Sequence, residues 1–245
     1  MTFTIIGTLM NFNRLFKLDN RLLACCNFIK PHAKIADIGT DHAYLPIWLM
    51  LNDRIDHAIA CDLRHGPLLN AENNIKKYNL ESKIETRLSD GLENVSKDEV
   101  DTVIIAGMGG EIITQIIKSA KWLKDYNKSI ILQPMSNDES LRIFLKNEGF
   151  EIIEEIAVLS HNKIYSVMNI RFSNNKFITD NLYEFIGKIN PIASNDSFIY
   201  INKKISSLNN RILGFNPSSY EYKHIHKAIE DLKNILKEND LNDNN

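Results

Sequence analysis

Carboxylates stand at the ends of three short apolar runs, and their spacing sets out the chemistry the chain can do. The first run ends in Ala36-Asp37-Ile38-Gly39-Thr40-Asp41-His42, the second in Asp62-Leu63 and the third in Ser89-Asp90-Gly91. A fourth ends in Ala106-Gly107-Met108-Gly109-Gly110 and a fifth in Gln133-Pro134. In an open α/β sheet, ligands bind outside the carboxyl ends of the strands, so five such endings wall one site. Gly39 lets the backbone approach a ligand closely, and an acidic residue beside it can take an ammonium group. Asp62, 25 residues after Asp37, is placed to accept two ribose hydroxyls, and Asp90 to receive an adenine amino group.

Such a set suits a nucleoside with a cationic tail and no phosphate. A dinucleotide needs a G-x-G-x-x-G turn that seats its pyrophosphate on a helix N-terminus. Here Gly39 is followed by the bulkier Thr40, Asp41, His42 and Ala43, and Asp37 and Asp41 would repel a pyrophosphate. A nicotinamide-dependent oxidoreductase is therefore disfavoured. S-adenosylmethionine, with an ammonium and a sulfonium, fits the charge pattern, and no metal is expected. Its expected contacts are Asp37, Gly39, Thr40, His42, Asp62, Leu63, Asp90, Gly91, Ala106, Gly107 and Met108. Each has a plainer use: Asp41 as a helix cap, Asp62 as a strand terminator, Gly109-Gly110 as a tight turn, His42 as scaffold.

These residues need strands and helices to hold them. Strands are expected at Lys34–Gly39, His57–Asp62, Ile84–Ser89, Asp101–Ala106, Ser129–Gln133, Phe150–Leu159 and Ile164–Phe172. Helices are expected at Tyr44–Leu51, Pro67–Tyr78, Glu111–Ser119 and Glu139–Asn147, with Pro46 tolerated in a first turn and Gly149 ending the last. Alternation of this kind gives parallel β-α-β units. The sixth run is followed by His161-Asn162-Lys163 and then directly by the seventh, so the seventh strand runs antiparallel beside the sixth. The expected fold is a Rossmann-like α/β sheet of seven strands, last strand antiparallel. Beyond Asn175, apolar residues at 201, 205, 208 and 212, then at 222, 225, 229, 232 and 236, form two heptad seams. Gly214-Phe215-Asn216-Pro217 between them cannot continue a helix, so a C-terminal helical hairpin, a short antiparallel coiled coil, follows. The expected division is 1–33 as an N-terminal extension and helix, 34–173 as the cofactor-binding domain and 174–245 as the helical hairpin.

The chain has 245 residues, 44% hydrophobic, with 29 basic against 31 acidic side chains, a balance that points to neither a general nucleic-acid binder nor a membrane-surface protein. The apolar stretch Met1–Phe12 lacks a basic n-region and a cleavage site and is too short to span a bilayer. It reads as an extension, with Met10 an alternative start. Cys25, Cys26 and Cys61 form neither a disulfide framework nor a zinc spacing. Three reduced, buried thiols imply a reducing, cytoplasmic compartment.

The motifs Asp37-Ile-Gly-Thr-Asp-His-Ala-Tyr-Leu-Pro46, Ala106-Gly-Met-Gly-Gly110 and Ile131-Leu-Gln-Pro134 resemble those of the bacterial tRNA (adenine(22)-N1)-methyltransferases. Lys17-Leu-Asp-Asn-Arg-Leu22, Gly66-Pro67 and Asp90-Gly-Leu92 are similar to that family as well. The likeness runs from about Leu15 to the end, strong through Phe172 and architectural beyond. It implies metal-free methyl transfer to N1 of an adenine in tRNA, with Asp41, His42 and Met108 at the reacting atoms. Enzymes acting on an exocyclic amino group often clamp it with an Asn/Asp-Pro-Pro-aromatic motif after the fourth strand, where this chain has Ala106–Gly110. A ring nitrogen needs no such clamp, and a carboxylate such as Asp41 would balance the cationic product. Arg14, Lys17 and Arg21, in a locally basic and expectedly helical stretch, would meet tRNA phosphates. Tyr44, Gly109, Gly110, Gln133 and Pro134 complete the expected substrate side. No protein partner and no membrane are implied, and a monomer is expected. The competing readings are methylation of another RNA, a protein or a small molecule, and a non-catalytic RNA-binding module of the same fold.

Overall fold

The computed structural model describes residues 16–174 and 179–242; Arg14 and the other residues before Phe16 lie outside that range. A short helix α1 (Asn20–Asn27) leads into the alternating units β1 (Ala33–Ile38), α2 (Tyr44–Leu51), β2 (Ile55–Asp62), α3 (His65–Lys77), β3 (Ile84–Leu88), β4 (Thr102–Gly109), α4 (Gly110–Ser119), β5 (Ser129–Ser136) and α5 (Asp138–Asn147). The hairpin β6 (Phe150–Ser160) and β7 (Lys163–Phe172) follows, then α6 (Tyr183–Ile186), α7 (Asn195–Ile212) and α8 (Tyr220–Asn242). All seven strands join one sheet in the order β3-β2-β1-β4-β5-β7-β6. β1 to β5 pair in parallel, while β7 inserts antiparallel between β5 and β6. The chain order reverses between β1 and β4, which creates the crevice where an open sheet takes its ligand.

The central strands are apolar throughout because helices cover both faces of the sheet. On β1, Ala36 and Ile38 face α4 and α5, whereas Ala33 and Ile35 pack with α1, α2 and α3. Burying one such isoleucine contributes ~1.5–3 kcal/mol, so the alternation fixes which way each strand faces. Cys25, Cys26 and Cys61 are buried free thiols, and burial pushes Cys26 and Cys61 up to about 12.

The sequence-derived boundaries shift at the strand ends that matter. β4 continues through Met108 to Gly109 and β5 through Pro134 to Ser136, with register shifts where Met108 meets Pro134. Proline interrupts the ladder there and lets the two strands diverge. The basic N-terminal stretch is not one helix. Asp19 caps α1 by accepting from Leu22 N at 3.0 Å, so Lys17 precedes the helix, and the basic Lys34 lies near the N-terminal end of β1, away from the strands' carboxyl ends.

The seams of α7 and α8 bury Ile201, Ile205, Leu208, Ile225, Ile229 and Leu232 together with Phe185. The same cluster includes Ala157 of β6 and Ile164 of β7, so the helical pair packs on the terminal hairpin of the sheet. Arg142 of α5, fully buried, ties the two together. It donates to Glu155 of β6 at 2.7 Å, to the Glu184 and Phe185 carbonyls at 3.1 Å, and to the Tyr200 hydroxyl of α7 at 2.8 Å. Gly187 is needed beside this pair: a Cβ there would fall 1.8 Å from Glu155 Oε2.

Candidate functional site

The turn after β1 is built from unusual backbone. Gly39, Asp41 and Ala43 have φ of 73°, 52° and 55°, the left-handed region that costs a non-glycine residue roughly 1–2 kcal/mol. Several bonds hold the turn in place. Gly39 and Thr40 N–H both donate to the Cys61 carbonyl at 2.9 and 2.8 Å. The Thr40 hydroxyl donates to Asp37 Oδ2 at 2.7 Å, and Asn74 Nδ2 of α3 donates to the His42 carbonyl at 3.0 Å. Backbone held this way against its preference is typical of ligand sites.

Asp37 is 6% exposed. Burial pushes its carboxyl up to about 6, the Thr40 hydrogen bond opposes that, and nearby Asp62 adds to it. A buried carboxylate without a cation favours one being supplied. At the next strand end Asp62 Oδ1 accepts from Arg64 N at 2.9 Å. Ser89 braces the third, donating to the Gly91 carbonyl at 3.0 Å and accepting from Asn94 N at 3.1 Å.

Two clefts open on these strand ends. One, of about 560 Å³, is lined by Gly39, Asp41, Asp62, Leu63, Arg64, Asp90, Gly91, Ala106, Gly107 and Met108, with Ile112, Gln115 and Ile116 of α4. The other, of about 530 Å³, is lined by Phe16, Lys17, Asp19, Arg21, Asp37, Thr40, Asp41, His42 and Tyr44. Gly39, Asp41, Ala106 and Gly107 line both, so the clefts meet over the β1 and β4 ends. On the second side, His42 and Tyr44 stack at 5.2 Å between ring centres, and Phe16 lies 4.8 Å from Tyr44. Asp41 Oδ2 lies 3.6 Å from His42 Nε2, and Tyr44 is 41% exposed.

The expected cofactor residues thus gather at the β1, β2, β3 and β4 ends, with Asp37, Thr40 and His42 facing the second cleft. The expected substrate residues divide. Lys17 and Tyr44 line the second cleft. Arg21 lines it too, but its guanidinium is engaged, with Nε 3.1 Å from Asp19 and Nη1 donating to Gln133 Oε1 at 2.9 Å. Gln133 is fully buried and accepts from Gly107 N at 3.1 Å, so it supports the β4 loop from behind. Gly109 ends β4 as the N-cap of α4 and Gly110 begins that helix, where a Cβ would meet the Asn137 carbonyl at 2.5 Å. Pro134 lines a separate cleft beside α7. Sequence reasoning did not single out Phe16, Arg64, Ile112 or Gln115; nothing in their local pattern sets them apart from ordinary surface or core residues.

Residues 18–168 match the family model described as "Methyltransferase domain". A Bacillus subtilis tRNA (adenine(22)-N(1))-methyltransferase is 38% identical over 152 residues, covering 62% of this chain and 64% of that protein. The chain thus spans somewhat less than two thirds of that relative. Among solved structures, B. subtilis TrmK, an M1A22 tRNA methyltransferase, superposes with TM-score 0.76 at 28% identity, over 89% of this chain and 98% of its own. M. capricolum TrmK in complex with S-adenosyl-homocysteine superposes with TM-score 0.73 at 28% identity, over 91% and 98%. The strand order, the antiparallel closure and the motifs at the strand ends are accounted for together: the chain belongs to the methyltransferase-domain family.

Proposed function

We propose that this protein transfers the methyl group of S-adenosylmethionine to N1 of an adenine in tRNA, at position 22 by likeness to its relatives. The observation that carries this reading is the meeting of two clefts at Gly39, Asp41, Ala106 and Gly107. A methyl donor in one and an adenine in the other would have their reacting atoms on either side of a short shared wall. The residues fit the cofactor. Gly39 presents bare backbone where a Cβ would lie 2.2 Å from Met108 Cε, Asp62 and Asp90 line the first cleft for the ribose and adenine, and Asp37, on the second cleft beside the shared wall, offers a buried carboxylate for the ammonium.

When bound, the cofactor supplies an electrophilic methyl on sulfur. The protein's part is alignment, which can supply about 7–11 kcal/mol of the barrier, and charge. Tyr44 and His42 form an aromatic wall on which an adenine can stack. Asp41 offers a carboxylate to the positive charge that develops on the ring as N1 is alkylated, and Met108 shapes the wall between the clefts. Lys17 lies on the rim of the adenine side, where it would meet phosphate. In this reading the protein acts as a monomer on tRNA in the cytoplasm, a compartment supported by three unpaired thiols. Among the described residues no helix is long and apolar enough to cross a membrane.

Methylation of unmodified tRNA transcripts, followed by nucleoside mass spectrometry, tests the reading. The expected product is 1-methyladenosine. Transfer to another atom, or none to any tRNA, overturns it.

A further inference from the structure

A third cleft, of about 190 Å³, lies between the end of β5, the start of β7 and helix α7. Its walls include Pro134 and Met135, Ser166, and Lys203, Lys204 and Ser207 of α7. It adjoins the second cleft through one segment of chain. Gln133 holds Gly107 on one side, and the residues that follow it, Pro134 and Met135, wall the new cleft on the other.

Two features of this cleft are unexplained by packing. Ser166 is 2% exposed and its Oγ has no hydrogen-bond partner among the described residues, whereas buried hydroxyls in native proteins are nearly always paired. Lys203 is exposed on α7 and, among the described residues, takes part in no ion pair. Its neighbours are compensated: Lys204 lies 3.2 Å from Asp138 and 3.1 Å from Glu139, and Arg211 lies 2.6 Å from Glu139. Asp138, which also lines the cleft, has its charge met by Arg142 at 3.2 Å, by Lys204 and by the Tyr200 hydroxyl. Of the charged residues that line the cleft, Lys203 and Lys204 stand against Asp138 alone, and Lys204 is already paired with Asp138 and Glu139, so among the described residues Lys203 is the positive charge in excess.

We propose that this cleft seats a backbone phosphate of the substrate RNA, with Lys203 as the cation and the Ser166 and Ser207 hydroxyls as donors. An anion satisfies both unexplained features at once. The volume, a third of the cofactor cleft, suits a phosphodiester group and not a nucleoside. Its position beside the Gln133–Met135 segment would let the helical pair hold the strand next to an adenine turned into the second cleft. This inference rests on the proposed tRNA substrate for the choice of RNA.

Binding of unmodified tRNA to the full-length protein, measured against salt concentration, tests the seat for wild type, K203E and S166A. K203E is expected to weaken binding about tenfold and to lower the slope of log affinity against log salt by about one. S166A is expected to weaken binding several-fold while leaving the melting temperature unchanged or higher, since it removes an unpaired buried hydroxyl; a purely structural serine would not alter affinity. Cofactor affinity should match wild type in both variants. Unchanged tRNA affinity and salt slope in K203E overturn the seat. If wild type binds tRNA, K203E loses that binding and no methyl is transferred, the seat stands and the proposed reaction falls. If wild type binds no tRNA, both fall.

Discussion

Arg21 and Gln133, 112 residues apart, share a hydrogen bond of 2.9 Å, and the same Gln133 oxygen accepts from Gly107 N at 3.1 Å. The N-terminal helix thereby controls the loop at the end of β4, which lines both main clefts. A displacement of that loop by an ångström can cost about 100-fold in rate. Gln133→Ala is expected to slow methyl transfer by about 10- to 100-fold and to destabilise the protein by about 1–3 kcal/mol, through an unpaired Gly107 N–H. Arg21→Lys should behave similarly in rate, because an ammonium cannot reproduce the planar fork that joins Asp19 to Gln133. If Arg21 served chiefly as an RNA contact, its variants would raise KM for tRNA and leave kcat unchanged.

Asp37 links cofactor affinity to pH. Its carboxyl in the ligand-free protein sits at about 6, against an ordinary 3.8. Between those values the folded protein keeps a proton that the unfolded chain has released, so stability falls as pH rises through the window. At neutral pH the buried charge costs on the order of 3 kcal/mol. Asp37→Asn is therefore expected to raise the melting temperature of the ligand-free protein by several degrees at pH 7.5 and not at pH 3.5. It should also abolish measurable S-adenosylmethionine binding by calorimetry. In wild type, affinity should weaken as pH drops below 6. A variant no more stable than wild type at pH 7.5 refutes the buried-charge cost.

Asp41 faces both clefts and lies 3.6 Å from His42. Asp41→Ala should lower kcat by about 100-fold or more while cofactor affinity changes only a few-fold. Asp41 has φ of 52°, which asparagine tolerates well, so Asp41→Asn keeps the turn and isolates the charge. Equal turnover in Asp41→Asn and wild type would take the carboxylate out of the chemistry.

The Arg142–Glu155 pair is the strongest test of how the helical hairpin is held. Burial opposes the charge on Arg142, yet Glu155, Tyr200 and Asp138 hold its guanidinium protonated well above the ordinary range. Likewise burial alone would raise Asp138, but Arg142 and Lys204 bring it to about 2. Arg142→Met leaves Glu155 buried and uncompensated and should cost about 3–5 kcal/mol in chemical denaturation. Arg142→Met combined with Glu155→Leu should recover much of that loss. A double variant no better than the single would place the cost in packing.

Much of this protein is written locally. The alternation of apolar runs with amphipathic segments, the four-residue link between Leu159 and Ile164, and the heptad seams on either side of Gly214 specify strands, the antiparallel closure and the helical pair. They do so because each depends on periodicity within one segment. That Asp37, Gly39, Asp62 and Asp90 come together is legible for a related reason: a strand end is a local feature, and in an open sheet the carboxyl ends of neighbouring parallel strands, here β1 to β4, lie along one crevice.

What tertiary structure decided is which charges are spent on the protein itself. Arg21 reads as a tRNA contact and Gln133 as a substrate contact until the two are brought together, and the partners of Arg142 exist only once β6, α6 and α7 close over it. Likewise no rule of sequence would put Ala43 in the left-handed region; its φ follows from the bonds that hold the turn to Cys61 and Asn74. Propensity and pattern are set by neighbours along the chain, whereas the fate of a charge is set by partners tens of residues away, whose proximity exists only once the sheet has formed.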